Sequence, residues 1–146
     1  CQKPFAPLLR HPMVMGYQRP PSNKFAGICN AVIMAEPGAE FLRLWYDRYQ
    51  SFSNENWGEH SVRQPYLLAG ERPDLIHVEP MQSFFWPSFG ESGIDSMLLR
   101  DETFPDAYLL HLWSKNSWRL LEKLDEDDVR TRDTTYNRIA RRFLED

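Results

Sequence analysis

The stretch YLLHLWSKNSW, residues 108–118, joins an apolar run to a sudden collection of polar and aromatic side chains. Residues 107–112 are apolar and aromatic, have the length of a strand and follow a Pro-Asp pair, so we predict a strand there. Polar groups just past a strand end are typical of ligand sites in open α/β sheets. Imidazole nitrogen can ligate a metal ion, and hydroxyl and indole N–H groups can bond phosphate oxygens. The alternative is a buried strand that ends in a surface turn, with Trp113 and Trp118 anchored in the core.

The composition is that of one globular domain. The chain has 146 residues, of which 42% are hydrophobic and 26% charged, enough to bury a core. A net charge of −4 argues against a nucleic-acid partner. Two cysteines cannot form a disulfide framework or a four-ligand zinc site. No apolar run approaches the roughly 18 residues that span a bilayer, so membrane anchoring is expected only through segments outside this chain.

The apolar pattern predicts alternating strands and helices, which indicates an α/β fold. Besides residues 107–112, strands are predicted at residues 13–17, 27–35 and 75–78. The 27–35 run is almost continuously apolar, which is typical of a strand buried on both faces. Residues 19–24 are rich in proline and polar side chains and are predicted to form a loop.

Helical spacing is clearest after Pro37, where a core-facing helix of roughly 14 residues is predicted. Its apolar stripe consists of Phe41, Leu42, Trp45, Tyr49 and Phe52. A short helix is predicted at residues 60–69, and a terminal helix at 134–144 with Ile139, Ala140 and Phe143 on its apolar face. The literal Asp-x-Asp at residues 125–127 lies in an acidic run, and we interpret it as a solvated helix start, not a metal motif.

Two further features have both a structural and a functional interpretation. Asn30 interrupts the apolar 27–35 run, so it is either a hydrogen-bonded core residue or a polar group facing a ligand pocket. Phe85 and Trp86 belong to an aromatic segment, residues 81–89, that has no helical or strand period. Such a segment indicates either packing on the core or a platform for an acceptor sugar.

The pattern His111-x-Trp113-x-x-x-Ser117-Trp118 resembles the C-terminal signature of GT-A-type glycosyltransferases. It is similar in particular to the family 32 enzymes with an Asp-x-Asp sugar-binding region, which include relatives of α-1,4-galactosyltransferase and α-1,6-mannosyltransferase. Three upstream stretches match in the same order: KPFAPLL at residues 3–9, GICNAVI at 27–33, and PGAEF at 37–41 leading into Trp45. The chain departs from the family at residues 63–65, where many relatives carry a Gly-Pro pair.

The resemblance implies that residues 1–146 form a single domain, the C-terminal portion of a GT-A-type nucleotide-diphospho-sugar transferase fold. Its expected architecture is a mixed sheet flanked by helices. The family's Asp-x-Asp segment would come immediately before Cys1, so this fragment alone is expected to be inactive.

The resemblance also implies site residues. By its position in the signature, His111 is the candidate metal ligand that completes the site of the Asp-x-Asp motif, so it would serve the metal or the diphosphate bound to it. The other candidates form a donor or diphosphate set and an acceptor set: Asn30, Trp113, Ser117 and Trp118 in the first, Phe85 and Trp86 in the second. Family members retain the anomeric configuration, generally without an obvious protein nucleophile, so no catalytic residue is named.

The implied activity is transfer of a hexose from a UDP- or GDP-hexose donor to a hydroxyl of a glycan or glycolipid. It would depend on a divalent metal, Mn²⁺, whose other ligands lie outside this chain, because negative charge develops on the leaving diphosphate. The alternative is an α/β module that binds carbohydrate without chemistry. The sequence does not determine the cellular location. In a eukaryote we would expect the Golgi lumen with a membrane anchor, and in a bacterium the cytoplasm or the membrane surface.

Overall fold

A computed structural model describes residues 1–19, 26–53, 55–56 and 58–144. The predicted 19–24 loop lies outside these described residues except for Arg19. Three strands form one mixed sheet in the order β2-β1-β3: β1 is Met13–Gln18, β2 is Gly27–Ala35 and β3 is His77–Glu79. Strand β1 pairs antiparallel with β2 and parallel with β3. The predicted α/β class, with helices flanking a mixed sheet, is confirmed.

The described residues form seven α-helices: α1 (Glu40–Asp47), α2 (Gln64–Glu71), α3 (Met81–Phe84), α4 (Glu91–Leu98), α5 (Ser114–Leu121), α6 (Glu126–Thr131) and α7 (Thr135–Ala140). A π-helical turn at Glu59–Arg63 leads into α2, and single 3₁₀ turns lie at Arg48–Ser51, Pro73–Leu75 and Arg141–Phe143. In the part of the chain that the structure covers, none of these helices has the length and apolar character to cross a membrane.

The acidic run begins a helix, as predicted. The Asp125 carboxylate accepts a hydrogen bond from the backbone N–H of Asp128 and so caps α6. Three acids follow in the first turn of α6, where the helix dipole favours negative charge. The Asp-x-Asp at residues 125–127 is therefore part of a capped surface helix.

The predicted strand at residues 107–112 is wrong, because this segment has no ladder of hydrogen bonds to a neighbouring strand. Its backbone hydrogen bonds are isolated ones: Tyr108 O accepts from Gln2 N at 2.7 Å, Tyr108 N donates to Ser83 O at 2.8 Å, and Ala107 N donates to Phe104 O at 3.1 Å. The side chains of this segment are nevertheless mostly half-buried or buried. The apolar sequence of this segment therefore indicates that its side chains are buried. It does not indicate a strand, because an irregular segment packed between two cores is buried as well.

The apolar faces of helix α1 and of the terminal helix end earlier than the sequence predicted. Helix α1 ends at Asp47 and continues only as a 3₁₀ turn, and the side chain of Phe52 is 57% exposed. In the terminal helix, Ile139 is buried but Phe143 is 67% exposed. Both exposed phenylalanines follow the point at which the α-helix changes to a tighter turn, so the helical spacing no longer directs them to the core.

Strand β1 separates two cores, because its side chains alternate between the faces of the sheet. The first core, on the face covered by α1 and α2, contains Met13, Met15, Ile28, Phe41, Trp45, Leu68 and Ile76. The second core, on the other face, contains Leu8, Val14, Cys29, Phe84 and Phe85. A third, helical core is built on Ile94, Met97 and Leu98 of α4. Trp113 packs against both the second and the third core.

Strand β2 carries an irregularity that the sequence did not predict. Cys29 pairs with Gly16 and Ile33 pairs with Met15, so residues 30–32 have no counterpart on β1. The first three residues of β2 are buried, whereas its second half alternates between half-buried and exposed positions. The prediction of a strand buried on both faces is therefore wrong for the second half of β2, and Asn30 in the bulge is exposed.

Gly16 lies beneath two aromatic rings. A Cβ atom at this position would lie 2.6 Å from a ring carbon of Phe84 and 2.7 Å from one of Phe85, well inside van der Waals contact. Both rings are fully buried. The second core can therefore approach the middle strand only because residue 16 has no side chain.

We predict that Gly16→Ala lowers the free energy of unfolding by about 1–3 kcal/mol, because an extra methyl group overpacks this contact. Gly70→Ala, in α2, is the matched control: its Cβ would meet nothing within 4 Å, and alanine favours the helix by roughly 0.5–1 kcal/mol. Urea unfolding of the two variants measures the difference. A Gly16→Ala variant as stable as the parent would show that the rings do not lie against this strand.

Trp45 is buried in the first core, as predicted, and its indole N–H donates to the carbonyl of His60 at 2.8 Å. We expect Trp45→Ala to cost roughly 3–5 kcal/mol because it leaves a cavity. Trp45→Phe fills most of the volume but leaves the His60 carbonyl unpaired, at a cost of about 1–3 kcal/mol. Neighbouring Tyr46 is 76% exposed, so Tyr46→Ala should stay within about 0.5 kcal/mol of the parent in thermal or urea unfolding. Equal losses at both positions would contradict this orientation of α1.

Candidate functional site

The aromatic segment after α3 and the signature residues before α5 meet in space. The indole N–H of Trp113 donates to the carbonyl of Pro87 at 3.0 Å. The ring of Trp113 lies edge-on to Phe89, with centroids 5.4 Å apart, and 5.9 Å from the ring of Phe85. The amide of Asn116 donates to Phe89 O at 3.4 Å. Two segments about 25 residues apart in sequence therefore form one cluster, on the face of the sheet that carries the second core.

His111 lies at the edge of this cluster. The backbone N–H of Trp113 donates to Nδ1 of His111 at 3.0 Å, and the two rings are 4.0 Å apart between centroids. The ring of Phe85 is 5.8 Å away on another side. Burial lowers the pKa of His111, which favours the neutral imidazole at neutral pH. In the described part of the chain, no side chain or backbone group bonds the Nε2 atom of His111.

Trp113 has a backbone conformation that is rare for a residue with a side chain. Its φ of 51° and ψ of 49° are left-handed, and the other positive φ angles in the described residues belong to glycines. This conformation costs a non-glycine residue of order 1–3 kcal/mol and occurs where the surrounding contacts enforce it. Here it ends the irregular segment and starts α5 at the next residue.

The Ser117 hydroxyl is fully buried and acts within the chain. Its Oγ donates to the carbonyl of Leu112 at 2.5 Å and also lies 3.3 Å from the carbonyl of Trp113. A bond to phosphate, as predicted for Ser117, would require this hydroxyl to leave Leu112 and become accessible. In the present arrangement Ser117 instead fastens the first turn of α5 to the segment that carries His111.

The tryptophan and phenylalanine candidates differ sharply in exposure. Trp118 is 59% exposed on α5, and Trp86 is 46% exposed at the turn after α3, so ligands can reach both rings. Phe85 is fully buried against Gly16 and Trp113, so this arrangement does not present it to an acceptor. Of the two predicted acceptor residues, only Trp86 is at the surface; Phe85 supports the cluster from below.

Asn30 lies on the other side of the sheet. It lines an open groove of about 680 Å³ together with Ile33 from β2 and Leu42, Trp45 and Tyr46 from α1. Trp45 belongs to the first core, whereas the His111 cluster packs on the second. The structure therefore does not bring Asn30 together with His111, and the interpretation of Asn30 as a buried core amide is wrong because its side chain is exposed.

The residues present do not form a metal site by themselves. The described ranges hold no group of three or more His, Cys, Asp or Glu side chains that could bind a metal ion. Burial lowers the pKa of His111, and the neutral imidazole that this favours suits ligation, but its Nδ1 already accepts a hydrogen bond from the backbone N–H of Trp113. We therefore derive no chemical step through a metal ion on these residues.

A second polar cluster, not predicted from the sequence, lies beside β3. The imidazoles of His11 and His77 stack with centroids 4.0 Å apart, and His77 Nε2 lies 2.7 Å from Glu79 Oε1. The hydroxyl of Ser83 donates to the other oxygen of Glu79. Partial burial, then the neighbouring His77 and Arg10, lower the pKa of His11. His77, Glu79 and Ser83 are close in sequence, but His11 comes from a distant segment, so the stacking of the two imidazoles could not be predicted from the sequence.

Because Ser117 fastens α5, we predict that Ser117→Ala lowers the free energy of unfolding by about 0.5–1.5 kcal/mol through loss of this hydrogen bond. Ser114→Ala is the control, since Ser114 is exposed at the start of the same helix and should change stability by less than about 0.5 kcal/mol. Urea unfolding compares them. Parental stability for both would mean that the Ser117 hydroxyl is not needed by the fold.

One curated protein resembles this chain over nearly its whole length. Over 150 aligned residues the chain is 29% identical to Glucan organizing enzyme 1 of Cryptococcus neoformans var. grubii serotype A. The alignment covers 97% of this chain but 41% of the relative, so the chain spans less than half of that protein's length. No family model matches the sequence. No solved structure matches it either.

Proposed function

We propose that this chain is part of a glycosyltransferase that transfers a hexose from a nucleotide-diphosphate sugar to a hydroxyl of a glycan, with retention of configuration. Two observations support this proposal. The aligned relative is named as an enzyme and its name refers to a glucan. Three residues of the pattern that resembles a glycosyltransferase signature, His111, Trp113 and Ser117, are joined by hydrogen bonds around the start of α5, and Trp118 is exposed on the same helix.

The observation that carries the proposal is the placement of His111. Its imidazole is held by backbone and ring contacts, while Nε2 has no partner within the described residues. In sugar transfer from a nucleotide diphosphate, negative charge develops on the leaving phosphate oxygens, and a fixed donor aimed at that charge stabilises the transition state. A restrained imidazole with a free ring nitrogen can supply such a donor.

Helix α5 adds to this electrostatic setting. It begins beside His111, and its first turn contains no acidic residue. The N-terminal end of a helix carries partial positive charge, which favours a bound anion there. The exposed indole of Trp118, on the same helix, is a further N–H donor, and we propose that it bonds a phosphate oxygen.

Other parts of the proposed reaction would be supplied from outside these residues. A divalent ion held by residues outside the described ranges would supply positive charge to the diphosphate. The described residues offer no complete site for that ion, so the expected Mn²⁺ dependence is examined by omitting Mn²⁺ from the assay. We name no catalytic base or nucleophile, because the cluster contains no carboxylate positioned for either role.

We predict that His111→Ala and Trp118→Phe both reduce sugar transfer by the intact protein. Loss of one hydrogen bond to the developing phosphate charge should raise the activation free energy by about 1.5–3 kcal/mol. This corresponds to a decrease in kcat/KM of roughly 10- to 150-fold. Folding should change little for Trp118→Phe, since phenylalanine fills most of the volume of an exposed ring. The measurement is transfer from UDP- and GDP-hexoses to glycan acceptors, with and without Mn²⁺, normalised to the folded fraction.

Tyr46→Phe is the matched control, because it also removes one donor from an exposed aromatic ring but lies on the other face of the sheet. It should leave kcat/KM unchanged. If both site variants had the kinetics of the parent protein, the His111 cluster would not be part of the active site. Glycan binding without nucleotide binding in the intact protein would instead identify a carbohydrate-binding module.

A further inference from the structure

Trp113 contacts His111 in two independent ways, through its backbone N–H and through its ring. We infer that Trp113 is a positioning residue that holds His111 with its proton on Nε2, so that His111 donates to an oxyanion such as diphosphate instead of ligating the divalent metal. The inference departs from the metal role that the sequence resemblance implies for His111. The identity of the anion rests on the proposed function, whereas the state of the imidazole rests on the geometry alone.

The hydrogen bond at Nδ1 decides the tautomer. A neutral imidazole has one nitrogen that donates and one that accepts. The backbone N–H of Trp113 can only donate, and it points at Nδ1 from 3.0 Å, so Nδ1 must be the acceptor. The single ring proton is therefore on Nε2, the nitrogen without a partner in the described ranges. That nitrogen can give a hydrogen bond but has no free lone pair for a metal ion.

The hydrogen bond between Trp113 and His111 is local, because a side-chain acceptor and the backbone N–H two residues further on can meet within a single turn. Contacts of the Trp113 side chain fix the backbone that carries this N–H. The indole donates to Pro87 O, and the ring packs against Phe85 and Phe89. Removing the indole should therefore loosen the imidazole through the backbone, without any contact between Trp113 and substrate.

Metal ligation would require this arrangement to be undone. Binding through Nε2 needs the proton to move to Nδ1, where it would oppose the Trp113 N–H. Binding through Nδ1 displaces that N–H directly. Within the described ranges, His111 does not belong to any group of three or more side chains that could bind a metal ion. An oxyanion, by contrast, accepts from Nε2 with every existing contact in place.

The first test is the protonation pattern of the ring. Long-range ¹H–¹⁵N spectra of ¹⁵N-histidine-labelled intact protein at pH 8 distinguish Nε2–H from Nδ1–H imidazoles, and the His111→Gln variant identifies the signal. We expect a single Nε2–H tautomer whose signals shift with inorganic pyrophosphate, and which stays the Nε2–H tautomer when a diamagnetic divalent ion, Mg²⁺, is added alone. An Nδ1–H tautomer, with or without Mg²⁺, would overturn the inference.

Variants separate positioning from folding. Trp113→Phe keeps a ring but loses the bond to Pro87, and Trp113→Gly removes the ring while relieving the left-handed strain. Both should yield a mixture of His111 tautomers, with pyrophosphate affinity lowered about fivefold or more. Folding is monitored through the Trp45 environment, since that residue belongs to the other core. A folded Trp113→Gly variant with the parental tautomer and affinity would show that Trp113 does not position His111.

The glutamine variant decides between donor and metal ligand. His111→Gln places an amide N–H near the position of Nε2, so pyrophosphate affinity should stay within about threefold, whereas His111→Ala should lose about tenfold. Equal losses in both would contradict a donor role. If these results hold but no hexose is transferred, the inference stands and the proposed function fails. If transfer depends on His111 while the ring is the Nδ1–H tautomer, the proposed function stands and the inference fails.

Discussion

The close approach of two phenylalanine rings to the backbone of Gly16 is the contact on which the rest of this structure depends. Gly16 lies in the middle strand, so the two phenylalanine rings that pack on it have a fixed position relative to both neighbouring strands. Phe84 and Phe85 carry the end of α3 onto the sheet, and Phe85 in turn supports Trp113 and His111. The absence of a side chain at Gly16 thus sets how closely the His111 cluster packs on the sheet.

The sequence predicted the elements whose formation is local. Strand β1, the first half of β2 and helix α1 follow from apolar spacing, and the start of α6 follows from the acidic run after Asp125. The errors share one physical cause: an apolar side chain indicates burial but not the hydrogen bonds of its backbone. Residues 107–112 are buried or half-buried without a strand partner, and the exposed Phe143 lies beyond the end of its α-helix, in a 3₁₀ turn.

The sequence was sufficient to select residues of the candidate site, but it could not predict how they are arranged in space. The collection of His111, Trp113 and Ser117 is visible in the sequence, but the Pro87 carbonyl that orients Trp113 comes from a segment 26 residues away. The left-handed conformation of Trp113 has no sequence signature, because glycine and asparagine are the residues that normally indicate it. Asn30 matched the same resemblance, yet the alternation of β-sheet faces places it opposite the cluster, and this depends on strand pairing.

The bulge in β2 has a consequence for how proteins with this sheet can diverge. Elsewhere in a paired strand, gaining or losing one residue slides the register and turns every following side chain to the other face. Residues 30–32 have no counterpart on β1, so a change of length among them alters the bulge while Cys29 stays opposite Gly16 and Ile33 opposite Met15. Insertions and deletions within the bulge, at one wall of the groove beside α1, can therefore be tolerated without a shift of the strand register. The shape of that groove can change in evolution independently of both cores and of the His111 cluster on the other face.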